Sequence, residues 1–206
     1  MDLNLELQKE MFADHVATLK DYGDIKVLDF QKPESNYYRI RFIFEVDHDR
    51  VHISGDLGEL IAYNHAGMDF RRFIDYCYRH PVWFKSKVRC SSRPLNTYDR
   101  ELAEKQLIAK MKDKCLYDKV IGCYWYLDDD SEPEEVEAAL VDDALEDFSD
   151  TDGICGIGKK RLMNIDSTAF WPIDEIGLKK GPGITDLYLL AFKLAYKQLQ
   201  EKGVVK

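Results

Sequence analysis

Four carboxylates and two histidines fall within thirteen residues: Asp47, His48, Asp49, His52, Asp56 and Glu59. Oxygen and imidazole ligands at this density could hold a divalent cation for phosphodiester hydrolysis. Asp47-His48-Asp49-Arg50 is also turn chemistry, where Asp is expected without a metal, and no Lys or further acid follows at a nuclease spacing. G-x-S-x-G, H-E-x-x-H, and H-x-E with P-C-x-x-C are all absent, so the chain carries no nucleophile-elbow, zincin or deaminase signature. Cys77, Cys90, Cys115, Cys123 and Cys155 are odd in number and contain no C-x-x-C. The expectation is buried, reduced thiols rather than disulfides or a zinc site. No cofactor and no metal are expected.

Gly153-Ile154-Cys155-Gly156-Ile157-Gly158-Lys159-Lys160-Arg161-Leu162 lies in the Gly-rich segment Asp150–Gly183. Its Gly-Ile-Gly-Lys-Lys portion resembles the hairpin of helix-hairpin-helix DNA-binding motifs. In those motifs the glycines let backbone N–H groups approach a phosphate. Gly156 and Gly158 match the glycines, but Leu162 stands where that family carries a small residue. A flexible turn explains the run as well, and P-loop spacing does not occur. Asp150-Thr151-Asp152-Gly153 has a calcium-loop look, but Phe148 and Lys159 would fall at the first and twelfth ligand positions. Neither side chain binds calcium.

Charge is the strongest signal. Residues 128–152 hold 13 acids and no Lys or Arg, whereas the remainder has 25 acids against 29 bases. Asp142, Asp143, Glu146, Asp147 and Asp150 repel at helical spacings, each pair costing about 0.2–0.5 kcal/mol. Acids also sit at the end of a helix, where the dipole disfavours them. The expectation is a cationic compensation, from Lys159, Lys160, Arg161, Lys179 and Lys180 beside the run, from the basic and aromatic stretch Trp83–Arg93, or from a partner; a merely solvated acidic face is the alternative. The Trp83–Arg93 stretch could also bind nucleic acid by charge and stacking. If the whole run were one helix it would span about 37 Å. Its acids would then lie about 3 Å apart, the charge spacing of one nucleic-acid strand rather than a duplex.

These groups need elements to position them. Leu3 to Leu19 has helical spacing and Gly23 as its stop. Asp24–Phe30, Tyr38–Val46 and Val51–Ser54 read as strands of an antiparallel meander. Asp69–Arg79 reads as a helix stopped by His80-Pro81. A second helix follows Thr97 or Asp99 and runs to about Lys114. Residues 120–127 read as a buried strand or short apolar helix. Ser131 and Glu134 form a capping box, with Pro133 in the first turn, and Val136, Leu140, Ala144 and Phe148 give the acidic helix its apolar stripe. Residues 150–183 read as irregular, and Thr185 or Asp186 caps an amphipathic C-terminal helix ending near Gly203. The expected fold class is α+β. It is an N-terminal antiparallel β-meander packed against helices in residues 1–127, followed in residues 128–206 by the acidic helix, the Gly-rich loop and the C-terminal helix. No apolar run approaches a membrane span. The N-terminus lacks the basic start and apolar block of a signal peptide, so a cytoplasmic location is expected.

His52-Ile53-Ser54-Gly55-Asp56-Leu57-Gly58-Glu59 after an alternating strand, and Trp83-Phe84-Lys85-Ser86-Lys87-Val88-Arg89-Cys90-Ser91-Ser92 later, carry a resemblance. Together they resemble a family of small accessory proteins of phages and prophages of Gram-positive bacteria, over roughly residues 36–92. The resemblance implies an anti-defence role, including inhibition of CRISPR effectors, in the host cytoplasm, and it transfers no catalytic residue. The functional expectation is a non-enzymatic inhibitor. It would bind a basic nucleic-acid-binding surface of a host defence protein or nuclease complex, and neither nucleic acid nor a membrane is the expected partner. The candidate partner-binding residues are Glu134, Glu135, Asp142, Asp143, Glu146, Asp147 and Asp150, with Asp56 and Glu59 from the Gly-Asp-Leu-Gly turn. The alternative is a nucleic-acid-binding or metal-dependent nuclease module using His48, His52, Asp49 and Asp56 or the Gly156–Arg161 loop. A third reading is a homodimer through Tyr124-Trp125-Tyr126 and Tyr188, Phe192 and Tyr196.

Overall fold

The structure is a computed structural model that describes residues 5–35, 37–179 and 183–205. Met1–Leu95 and Gly181–Lys206 form one compact unit, and Asn96–Lys180 forms a second, inserted in the chain between them. The units therefore divide elsewhere than at residues 127 and 128. The C-terminal helix belongs to the same unit as the sheet. Among the described residues, no helix is long and apolar enough to cross a membrane.

The first unit is α+β, as its pattern predicts. Six antiparallel strands follow one another in simple order: β1 (Val16–Asp21), β2 (Ile25–Gln31), β3 (Ile40–Glu45), β4 (Arg50–Gly55), β5 (Leu60–Tyr63) and β6 (Val88–Ser91). The period of two puts Leu28, Phe42, Ile53 and Leu60 opposite one another in one buried row. On the other face the same register aligns Asp29, Arg41 and Ser54. There Arg41 clasps Asp29 through two hydrogen bonds of 2.6 and 3.1 Å. Helices α2 (Phe70–Tyr78) and α3 (Pro81–Lys87) and the final helix of this unit, Ile184–Glu201, supply the apolar cover. Phe192 of that last helix is the hub, with ring centroids 4.7–6.0 Å from Phe42, Phe44, Phe70 and Phe73.

Several expectations change here. The first helix, α1, covers only Leu5–Met11, and residues 16–21 are a strand; Leu3 lies outside the described residues. The alternation of inward Ala17 and Leu19 with outward Val16, Thr18 and Lys20 serves a sheet better than a helix, and Gly23, at φ 82°, closes a hairpin instead of a helix. Pro81 stops α2 but starts α3, as its fixed φ allows. Tyr188, Phe192 and Tyr196 are buried in the unit's own core, so they offer no dimer surface. Of the cysteines only Cys77 is buried. Cys90 lies on the edge strand, and Cys115 and Cys123 sit in the first and last turns of one helix, positions that face water.

The second unit is helical: α4 (Arg100–Lys110), α5 (Lys114–Cys123), α6 (Pro133–Ala144) and α7 (Gly156–Asp166); α8 is then Ile184–Glu201. Leu107, Leu116, Val120, Leu140, Leu162 and Phe170 anchor its separate core. Its entering and leaving segments pair with each other: Asp99 N–H donates to Gly177 O at 2.8 Å, and Lys179 N–H donates to Thr97 O at 2.9 Å. The expected irregular stretch thus contains α7. The expected capping box is not formed. Glu132 is the N-cap and makes no side-chain bond, while the Ser131 hydroxyl is engaged with Asp128.

Two predictions follow from this packing. A core and tied ends of its own mean that residues 96–180 expressed alone give a helical circular dichroism spectrum and one cooperative thermal transition. The second concerns His15, which is only 3% exposed between Phe12 and Phe30, with Nε2 3.2 Å from Tyr38 O. Burial, with a smaller contribution from Lys32, pushes its pKa below the ordinary 6.5, against the opposing pull of Asp14 and the Tyr38 carbonyl. The folded state therefore binds fewer protons than the unfolded chain. Stability contributed by this group is complete above about pH 6.5 and is lost as pH falls toward the lowered value. The urea midpoint should drop between about pH 7 and 5, and His15→Gln should flatten that interval.

Candidate acidic docking surface

Helix α6 buries Val136, Leu140 and Ala144 and turns its acids outward. Glu134 and Glu135 lie in its first turn, where the helix dipole favours them. Asp142 and Asp143 lie in its last turn, where the dipole does not. The acid run is not one long helix. It breaks after Ala144, and a tight turn bridging Ser149 and Gly153 follows. Repulsion and dipole both oppose continuing the helix through Glu146 and Asp147. The strand-like ladder of charge is consequently absent.

Arg161 of α7 supplies the compensation. Its guanidinium donates to Asp143 Oδ1 at 2.9 Å and to Glu146 Oε2. Asp147 finds a different partner. Its carboxylate accepts from the N–H groups of Ile157 (2.8 Å) and Gly158 (3.1 Å), capping α7 from ten residues upstream. Those backbone bonds, the Ile157 N–H foremost, hold its carboxyl below the usual range. Among the described residues no other carboxylate of residues 128–152 has a Lys or Arg nitrogen within the 4.0 Å of an ion pair. Glu134, Glu135, Asp142 and Asp150 are exposed. Lys159 and Lys179 are turned to other acids, Asp174 at 2.5 Å and Asp99 at 3.4 Å; Lys180 lies outside the described residues. Lys85, Lys87, Arg89 and Arg93, the other proposed counter-charges, make no ion pair among the described residues.

An aromatic pair stands just before the acids. Trp125 is 95% exposed, and Tyr126, also exposed, meets it edge-on with centroids 5.8 Å apart. These residues follow the end of α5 and do not form the buried strand or helix that their apolar composition predicts. The signal for exposure was the Asp128-Asp129-Asp130 run immediately after them, which cannot enter a core.

Asp56 and Glu59 belong to the sheet unit, whereas the acids of residues 128–152 belong to the helical unit. The Gly-Asp-Leu-Gly turn has full structural employment. Gly55 has φ 147°, and a Cβ there would lie 1.8 Å from Arg39 O. Asp56 Oδ2 accepts from Arg39 N–H at 3.3 Å, Glu59 N–H donates to Ser92 Oγ at 2.7 Å, and Tyr188 O–H donates to Gly58 O at 2.9 Å. The histidine and carboxylate group does not assemble. Asp47 and His48 lie in a 3₁₀ turn, and His52 Nε2 faces Glu45 at 3.2 Å. Among the described residues no three His, Cys, Asp or Glu side chains converge.

Of the two hairpin glycines, Gly158 has a structural reason and Gly156 has none. The amides that would meet a phosphate already hold Asp147. A Cβ on Gly158 would lie 2.1 Å from Ala144 O, so this glycine permits α6 and α7 to touch, whereas a Cβ on Gly156 would meet open space. Gly158→Ala should destabilise the helical unit by about 2 kcal/mol or more through overpacking, and Gly156→Ala should leave its melting temperature nearly unchanged. Thermal denaturation of both variants checks the asymmetry.

Comparisons with protein-family models, with curated proteins and with solved structures found no match.

Proposed function

We propose that this chain is a non-enzymatic inhibitor that docks the acidic surface of its helical unit on a basic, nucleic-acid-binding surface of a host defence protein or nuclease complex. The observation that carries the reading is the uncompensated charge. Among 13 carboxylates in residues 128–152, Arg161 pairs with Asp143 and Glu146 only. Carboxylates left this way are hydrated and are available to Lys and Arg of another protein, at the rim of an interface where they keep much of their water. Steering by such a field speeds encounter and makes it sensitive to salt. Trp125 adds what charge alone lacks. Binding hot spots are enriched in Trp, and Asp128, Asp129 and Asp130 follow this indole closely in the chain.

The roles within the surface differ. Asp143, Glu146 and Asp147 fasten α6 to α7, so their removal would perturb the unit itself. Glu134, Glu135, Asp142 and Asp150 make no such bonds and are the docking residues in this reading. Asp56 and Glu59 serve the turn of the sheet unit and are left out of the surface. The resemblance to phage accessory proteins, and the class of target it implies, agree with this chemistry.

The test uses a panel of bacterial defence nucleases with positively charged nucleic-acid channels. The wild-type chain should compete with nucleic acid for one of them, and competition should weaken as salt rises. Replacing Glu134 and Glu135 by Gln and Asp142 and Asp150 by Asn should weaken inhibition at least about tenfold, each rim charge acting modestly and mainly on association. Trp125→Ala should act mainly on dissociation, by about 2 kcal/mol. A quadruple variant that inhibits as well as the wild type would exclude the acidic surface.

A further inference from the structure

A second surface, of opposite sign, lies in the sheet unit and does not depend on the reading above. Residues 70–94 hold seven Arg or Lys against one acid, Asp75. Among the described residues only Arg79 pairs with that acid, at 3.7 Å, with both side chains more than half exposed. Lys85, Lys87, Arg89 and Arg93 have no ion-pair partner among the described residues. In the middle stands Trp83, 63% exposed. Its neighbour Phe84 is fully buried and fixes α3 against the core, so Trp83 is held on the outer side of that helix. His80 lies nearly parallel to the indole, with centroids 4.9 Å apart and planes inclined by 20°. The Ser86 hydroxyl donates to Trp83 O at 2.8 Å. Lys87 follows Trp83 by one helical turn, and Arg89, exposed, sits on edge strand β6 where the register with β5 shifts between Ile61 and Ala62.

We infer that the α2–α3–β6 surface binds single-stranded nucleic acid, with a base stacked on the Trp83–His80 platform and phosphates on Lys87, Arg89 and their neighbours. Each part has its own reason. A flat exposed indole costs free energy in water and regains it against another flat apolar face, and every nucleobase offers one. Unpaired Lys and Arg next to the ring gain by releasing counterions from a phosphate chain. A duplex would use only the charges, because its bases are already stacked and α3 is too short to enter a groove as a reading element. An acidic protein surface would likewise use the charges and leave the indole without a planar partner.

The test uses the full chain with Trp125→Phe and Trp171→Phe, leaving Trp83 as the only indole. A single-stranded oligonucleotide of about 12 residues, DNA or RNA, should quench its fluorescence on saturation at about 50 mM salt. With labelled oligonucleotide and the natural tryptophans, Trp83→Ala should weaken binding at least about fivefold. The Lys87→Gln, Arg89→Gln double variant should weaken it too and flatten its salt dependence. Poly-L-glutamate of equal charge should compete at least about tenfold less well than unlabelled oligonucleotide. Absence of binding at low salt, binding indifferent to Trp83, or equal competition by polyglutamate would each overturn the assignment, the last giving the surface to an acidic protein. Circular dichroism of each variant separates loss of binding from loss of fold.

Discussion

Crowded like charge is the constraint from which the helical unit's architecture follows. Neighbouring carboxylates on a helix repel by a few tenths of a kcal/mol per pair, and a run of 13 without a base accumulates that cost. The chain limits it in three ways. Five buried apolar residues of α6, Val136, Ala139, Leu140, Val141 and Ala144, hold the segment to the core. The helix ends at Ala144, before the worst crowding falls on its negative pole. The acids that follow are then used as ligands: Glu146 and Asp143 grip Arg161, and Asp147 occupies the amino end of α7. The close approach that makes this possible is allowed by Gly158, which has no Cβ to strike Ala144 O. Charge, helix ending, cap and glycine are thus parts of one arrangement. The carboxylates that it does not use remain in water.

The division of charge follows the division of the chain. The helical unit has 21 acids and 11 bases, and the sheet unit 17 acids and 18 bases. An insertion whose ends pair with each other can carry a charge of its own without disturbing the sheet, because no strand passes through it. The sheet unit has the opposite economy. Its stability rests on an aromatic core centred on Phe192, and its exposed edge is answered locally: the Gln198 side chain accepts from Ala17 N–H at 2.9 Å and donates to His15 O at 2.7 Å, completing the outer edge of β1. A side-chain amide can replace a missing strand there because it carries both a donor and an acceptor, and it blunts an edge that could otherwise recruit another chain.

The sequence made the meander from Ile25 to Gly55 readable because its period-two pattern has one buried face. It made α2, α4 and α8 readable as helices, with Asp69 and Asp99 both bonded as N-caps, but α8 starts after Gly183, its N-cap, so Thr185 and Asp186 lie inside the helix instead of serving as its N-cap. It misled at the start, where a hydrophobic spacing suited helix and strand equally and only pairing with β2 decides. Strands β5 and β6 are four residues each, too short for a pattern to stand out, and β6 depends on pairing with β5 across the two helices between them. In the candidate surface, composition alone located the acids. It could not distinguish those that fasten α6 to α7 from those left free, because that depends on which helix Arg161 and the α7 amides face. The exposure of Trp125 and the burial of Tyr188, both aromatic, are likewise decided by tertiary neighbours.

The central claim is that the helical unit carries negative charge it does not itself neutralise. Hydrogen exchange read peptide by peptide, at about 10 mM and about 300 mM sodium chloride, where screening lengths are about 30 and 6 Å, tests it most directly. Protection of residues 133–166 should rise with salt as repulsion is screened, while the strands of the sheet unit change little. Protection in that segment that stays constant or falls would mean that its carboxylates are paired within the chain, and the acidic surface would have no free charge to offer.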